Sequence, residues 1–412
     1  MKPGSGSLAR VAFRYPNFRL FMTARFLTIL SSEMISVAVG WQIYALTHRP
    51  LDLGLAGLAQ FAPGVGLFLV AGHTADRYAR HLILRACYGA FAICSALLLV
   101  LAFRGISSVW PIYAVLLANG TVRAFNGPAG QAFLPQLVKP EHFANAVTWG
   151  SSFFQTATIV GPMAGGLIYG FSGSSVPVYA CATVGYSIAM LLISAVRPDI
   201  APRKNLAQPA SMILGGLRYI WRSKLILACM SLDLFAVLLG GAVALLPVFA
   251  REILHTGPNG LGVLRAASGV GSVAVAILLA HYPLRRRAGL AMLYSVFGFG
   301  VFTIVFGLSH SFALSLVALM FTGAFDMVSV LVRSTLVQLT TPDEMRGRVS
   351  AVNMLFIGAS NEVGQFESGI TAQWFGAVPA VVLGGAGTIA IVLAWNWLFP
   401  ALRKVDKLAA IR

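Results

Sequence analysis

Apolar residues run along this chain in blocks of about 20, the length a helix needs to cross roughly 30 Å of hydrocarbon. Charge, glycine and proline separate the blocks. They predict twelve membrane-spanning helices at 18–46, 53–71, 82–103, 109–135, 142–171, 175–196, 225–249, 259–282, 288–308, 312–338, 349–375 and 377–399. Several exceed 25 residues, which implies tilt or extension beyond the bilayer. The run after Phe18 is too long for a signal core and has no convincing small-residue cleavage site, so it is retained as the first span. The expected fold class is an all-α integral membrane protein.

The connections set the orientation. Twenty-three lysines and arginines fall on one side: Lys2 to Arg19, Arg77, Arg80 and Arg85, Lys139, the stretch from Arg197 to Lys224, Arg285 to Arg287, Arg346 and Arg348, and the tail from Arg403. Only Arg49, Arg104 and Arg251 fall on the other. The positive-inside rule then puts both termini in the cytoplasm, as an even span count requires. The longest polar connection divides the chain into a six-helix bundle at 1–196, a cytoplasmic linker at 197–224 and a second six-helix bundle at 225–412. The basic part of the linker, Ile213 to Lys224, fits either an amphipathic helix on the anionic inner leaflet or a solvated connection.

Composition agrees with lipid as the solvent. Hydrophobic residues make up 58% of the 412 and charged ones 10%, too few charges for an ordinary soluble surface. The net charge of +17 does not indicate nucleic acid, because the basic residues punctuate apolar blocks instead of forming a patch. Cys87, Cys94, Cys181 and Cys229 lie inside apolar blocks without metal spacing and are expected to be small buried hydrophobes. No cofactor and no metal are expected. The histidines scatter over loops and helix ends, and no phosphate-cradling glycine loop is present, so neither an enzyme nor an ATP-driven pump is expected.

The halves repeat. Val160–Gly166 matches Val363–Gly369 at an offset of 203, Leu134–Glu141 matches Leu336–Asp343 at 202, and Gly64–Gly66 matches Gly269–Gly271 at 205. A parallel repeat of six helices per half follows.

Nine charged residues fall within the spans: Arg25, Glu33, Arg123, Asp233, Arg265, Asp326, Arg333, Glu362 and Glu367. Each costs about 2.5–3.5 kcal/mol at a helix centre, so most must be paired or line a wet cavity. Helix 4 carries Asn119, Arg123 and Asn126 on one face, and helix 10 carries Thr322, Asp326, Ser329 and Arg333. The offset of 203 equates Arg123 with Asp326, Asn119 with Thr322 and Asn126 with Ser329. Helix 1 has a similar stripe of Arg25, Thr28, Ser32 and Ser36. Glu362 and Gln365 share a face of helix 11 with Gly358, as cavity candidates. Arg25 and Arg333 lie toward the cytoplasmic third, where snorkelling explains them.

The loop Gly72–His73–Thr74–Ala75–Asp76–Arg77–Tyr78–Ala79–Arg80–His81 resembles the 2–3 loop signature of the major facilitator superfamily; Gly72, Asp76, Arg77 and Arg80 match, while Ala79 and His81 depart from it. Gly161–Pro162–x–x–Gly165–Gly166 resembles the helix 5 motif of its exporters, although simple small-residue packing reads the same way. Gly127–Pro128 through Leu134–Pro135 to Asn145–Ala146, with Thr341 to Val349, resembles the siderophore-export and macrolide-efflux branch. The resemblance implies the major facilitator fold, two pseudo-symmetric bundles working by alternating access, and a monomer in a bacterial inner membrane. It also implies a central cavity lined by helices 1, 4, 7 and 10, with Asp76 latching the halves. Glu33, Asp233 and Asp326 are then the proton-coupling candidates, with Arg123 as charge partner. A carboxylate in a low-dielectric cavity tends to hold its proton, and a neighbouring arginine opposes that. The expected function is proton-coupled export of a small organic solute, siderophore-like or an amphipathic drug. The alternatives are a metabolite importer or facilitator, a lysolipid flippase, or a non-transporting sensor.

Overall fold

In a computed structural model, residues 11–197, 209–282, 284 and 286–406 are described; for Phe68, Leu69, Ala75, Asp76, Pro209 to Ile213 and Asp343 this covers the backbone alone. The described residues form helices and no strand. The long helices are α1 Pro16–Thr47, α2 Pro50–Arg77, α3 Arg80–Phe103, α4 Trp110–Phe133, α5 Phe143–Ser172, α6 Val176–Ser194, α7 Pro209–Arg222, α8 Lys224–Leu239, α9 Gly257–His281, α10 Ala288–Leu308, α11 Phe312–Thr340, α12 Asp343–Phe375 and α13 Ala377–Leu398. All but α7 correspond to the twelve spans. Eight stretches are long and apolar enough to cross a membrane on those grounds alone, α8 being counted through Ile253. Of the other four, α4 carries Asn119, Arg123 and Asn126, and α12 carries Glu362, Gln365 and Glu367.

The seventh span departs from expectation. It breaks at Gly240–Gly241 and continues as a 3₁₀ turn (Ala242–Leu245), one α-helical turn (Leu246–Val248) and one turn of π-helix (Phe249–Ile253). Its two glycines are poor helix formers, and a Cβ at Gly241 would stand 3.0 Å from both the Gly364 carbonyl oxygen and the Ser368 hydroxyl of α12. Gly173 and Gly376, with φ of 66° and 92°, end α5 and α12 in conformations that glycine adopts without cost.

The chain divides into two compact units, residues 1–42 with 59–206, and residues 43–58 with 207–412. In the first unit, Gly161 and Gly165 of α5 leave no room for a Cβ against Leu30, Glu33 and Met34 of α1. Gly120 of α4 does the same against the Gln60 carbonyl of α2. In the second unit, Gly364 of α12 meets the Val237 and Leu238 carbonyls of α8, and Gly323 of α11 meets the Ser268 carbonyl of α9. These pairs stand 203 residues apart, so the repeat recurs as two helix crossings.

The linker helix α7 packs on protein. Ile220 is fully buried in an apolar cluster with Ile226, Met230, Val337, Val349 and Val352, and the Tyr219 hydroxyl donates to the Thr340 carbonyl at 3.2 Å. Leu214, Arg218 and Trp221 face outward. Cys87, Cys94 and Cys229 are buried, whereas Cys181 is exposed, a correction to the expectation of four buried thiols. On a lipid-facing helix surface an apolar side chain needs no protein around it.

Candidate functional site

The second unit holds a buried ion pair. Arg333 of α11 donates through Nη1 to Asp233 of α8 at 2.8 Å, with both side chains less than a tenth exposed. The same nitrogen is 3.4 Å from the Asn353 Oδ1 of α12. An isolated charge here would be very costly, and pairing with a further hydrogen bond offsets that cost. One arginine therefore ties three helices.

Seven residues before Arg333, on the same face of α11, stands Asp326. Asp233, Asp326 and Ser329 line one cavity of about 10 Å³ with Phe299 and Phe325, room for about one water. Among the described residues, no ion pair or hydrogen bond holds the Asp326 carboxylate. Ser329, 3% exposed, has a buried Oγ without a partner. Two carboxylates, one neutralised by an arginine and one not, thus meet at a water-sized space between aromatic walls. Such a place can bind and release a proton.

One expectation is corrected here. Arg333 does not snorkel; it is the arginine that holds Asp233. Arg123, expected as the charge partner of the carboxylates, shares the first unit with Glu33; it is exposed and donates to Gln60 Oε1 at 3.3 Å. Thr322, expected on the cavity face, is buried and turns its hydroxyl to the Leu319 carbonyl at 2.7 Å.

The polar stripe of α1 is consumed largely inside the first unit. Thr28 donates to the Ala24 carbonyl at 2.8 Å, and Thr28 and Ser32 stand beside the buried tyrosines Tyr88 of α3 and Tyr186 of α6. Tyr179 of α6 donates to Gln42 Oε1 at 2.6 Å. The charges of Arg123 and Glu33 both reach Tyr186, and Glu33 is half-buried at the α1–α5 crossing. Asn119 and Asn126 are half-buried on α4, and the buried Asn126 Oδ1 has no hydrogen-bond partner.

The sequence profile of the transmembrane secretion effector family, a branch of the major facilitator superfamily, matches residues 6–411. The chain belongs to that family. It is similar to the enterobactin exporter EntS of Citrobacter koseri, 29% identical over 382 residues that cover 91% of this chain and 86% of the relative. Two solved structures share the fold: the nucleoside transporter NupG, TM-score 0.74 at 13% identity over 93% of this chain and all of that one, and a D-xylose–proton symporter, TM-score 0.69 at 12% identity over 96% and 99%. The protein is therefore a multi-pass transporter of the major facilitator fold.

In this superfamily member the helix 5 motif is a packing device. Gly161, Pro162, Gly165 and Gly166 are all buried, and the first and third bring α5 against α1. In the 2–3 loop, Arg80 Nη1 donates to the Ala132 carbonyl at 2.8 Å, satisfying an orphan carbonyl near the α4 C-terminus. Gly72 is half-buried and Arg77 exposed; the Asp76 side chain lies outside the described residues. In the second unit, Gln365 Nε2 donates to Glu362 Oε2 at 3.3 Å, and both abut Gly57 of α2. They form part of a helix crossing.

Sequence reading missed two residues. Asn353 sits in an apolar stretch of α12, between Val352 and Met354, with no spacing signal. Glu252 lies just past the seventh span, and its carboxylate accepts from the Tyr44 hydroxyl.

Proposed function

We propose that this protein exports a small organic solute, siderophore-like or an amphipathic drug, in exchange for protons, by alternating access between two six-helix halves, 1–196 and 225–412, joined by the linker 197–224. The observation that carries the coupling is the meeting of Asp233, Arg333 and Asp326 at one water-sized cavity. Asp233 already has a cationic partner and Asp326 does not, so Asp326 is assigned the transported proton, Asp233–Arg333 the fixed reference charge, and Glu33 an auxiliary role in the other unit. Neutralising Asp326 by protonation changes the balance around Arg333, which can then share its charge differently between Asp233 and Asn353. That couples a proton to the positions of α8, α11 and α12. Export and the siderophore class come from the likeness to the enterobactin exporter; the small-residue crossing of α5 on α1 is compatible with it. We assign a bacterial inner membrane, cytoplasmic termini and a monomer, with Asp76 in the gating loop.

Reconstitution tests this. In proteoliposomes of known orientation carrying a siderophore or an amphipathic dye, an imposed proton gradient should drive flux in the native protein. Asp326→Asn should abolish the gradient dependence while leaving downhill exchange. Full pH-driven accumulation by Asp326→Asn, Asp233→Asn and Glu33→Gln alike would sink the coupling assignment.

A further inference from the structure

The second unit holds a larger pocket at the ends of its helices remote from the linker. It has a volume of about 410 Å³, within the range of small-ligand sites. Tyr44, His48 and Pro50 line it from the α1–α2 connection, Glu252 from the turn after α8, and Val378 and Pro379 from the start of α13. Three local features are unusual. Glu252 lies in a single turn of π-helix, closed by Leu254 N–H to the Phe249 carbonyl at 2.8 Å, and such turns are frequent at functional sites. His48 has a φ of 52°, a conformation that a non-glycine residue keeps only when its surroundings enforce it. The Tyr44 hydroxyl donates to Glu252 Oε1, which fixes the carboxylate at the wall.

The chemistry of the lining selects a ligand. Glu252 brings a negative charge, and among the described residues no ion pair neutralises it. Among the described residues no lysine or arginine lines the pocket; Arg251, its neighbour in the turn, stands outside the lining although its charge reaches Tyr44, and Arg49 faces Asp52 at 4.0 Å. The remaining walls are aliphatic, glycine or proline, with the Tyr44 and His48 rings 6.0 Å apart. A concave apolar surface with one oriented carboxylate and aromatic edges suits a hydrophobic body carrying one cationic group.

We propose that this pocket is a binding site for amphiphilic organic cations, with Glu252 as the anionic anchor, Tyr44 as its positioning residue and the Val378–Pro379 wall as the apolar contact. A ligand seated there bridges the α1–α2 connection, the π-turn and the α12–α13 connection. The site is separate from the Asp326 cavity and does not rest on proton coupling.

Equilibrium dialysis tests it, using tetraphenylphosphonium and the full-length protein in phosphatidylcholine nanodiscs, with empty discs as background. Tetraphenylborate, of the same shape and opposite charge, is the control. The native protein should bind the cation and not the anion. Glu252→Gln should weaken cation binding at least tenfold, and Tyr44→Phe about threefold. Val378→Arg, which places a positive charge in the wall and keeps the Tyr44–Glu252 bond, should abolish it and covers the case in which Glu252→Gln fails to fold. Asp326→Asn should bind as the native protein does. Equal binding of both ions, unchanged binding in folded Glu252→Gln or Val378→Arg, or a loss confined to Asp326→Asn would each overturn the assignment.

Discussion

Where α4 crosses α2 in the first unit and α11 crosses α9 in the second, Gly120 and Gly323 stand 203 residues apart and perform the same task. Each lets one helix backbone meet a carbonyl, of Gln60 or of Ser268. Three residues further along the same helices the likeness ends. Arg123 is exposed and bonds the Gln60 amide, whereas Asp326 is half-buried at a cavity beside a buried ion pair. The repeat thus conserves how backbones approach and varies what is placed between them. Helix crossings in lipid depend on small residues whose task is purely steric. Charge placement has no such constraint, and one copy of a duplicated bundle can specialise in it.

The largest expected effect separates the two arginines. Arg333→Met leaves Asp233 as a buried carboxylate without its partner, a change that costs about 3–5 kcal/mol. Arg123→Met removes an exposed, screened contact and should cost under about 1 kcal/mol. Thermal or denaturant unfolding in one detergent reads both. Adding Asp233→Leu to Arg333→Met should recover more than half of the loss, because an apolar pair tolerates burial. Equal costs for the two arginines would erase the distinction between the units.

A smaller effect tests the shared frame. Gly120→Ala and Gly323→Ala each force a methyl onto a backbone carbonyl and should destabilise by about 1–3 kcal/mol, similarly in the two units. Gly66 and Gly271, also equivalent in sequence, should differ. A Cβ at Gly271 collides with the Met320 carbonyl, while Gly66 has nothing within 4 Å. Gly271→Ala should therefore destabilise, and Gly66→Ala should be neutral or stabilising by up to about 1 kcal/mol from helix propensity. Unfolding midpoints of the four variants give the pattern, and a destabilising Gly66→Ala would show that sequence repetition reaches further than the packing indicates.

The sequence made the spans legible because burial in lipid demands about 20 apolar residues whatever the tertiary contacts are. Its repeat was legible because similar offsets recur in three separate motifs, and the small residues Gly161 and Gly165 are where α5 meets α1. Pairing was harder to read. Asp233 and Arg333 lie 100 residues apart on helices that only the fold brings together. Distance from the cytoplasmic end suggested snorkelling for Arg333, the arginine that in fact pairs with Asp233. The glycine pair at Gly240–Gly241 was visible, yet hydropathy alone cannot distinguish a continuous apolar helix from one broken against Gly364. Glu252 escaped because a carboxylate beyond a span looks like an ordinary loop residue until Tyr44 is seen to bond it.

The smallest expected effect concerns Ser329, whose hydroxyl is buried at the Asp326 cavity without a protein partner. A buried hydroxyl left unsatisfied costs about 1–3 kcal/mol, so Ser329→Ala should be neutral or stabilise by a few tenths of a kcal/mol to about 1 kcal/mol. One ordered water in a cavity of this size would remove that penalty, and the substitution would then cost up to about 1 kcal/mol. The sign of the change in unfolding midpoint therefore reports whether the cavity is dry or hydrated in the resting protein. Asn126 is the internal control, since it is equivalent by the repeat and its Oδ1 is likewise unpartnered, but it stands one turn from Arg123, where Ser329 has the Asp326 cavity. If Ser329→Ala costs stability and Asn126→Leu does not, water is held specifically where Asp326 is, which is what a proton site reached through water requires. If both variants gain stability, the Asp326 cavity is dry at rest.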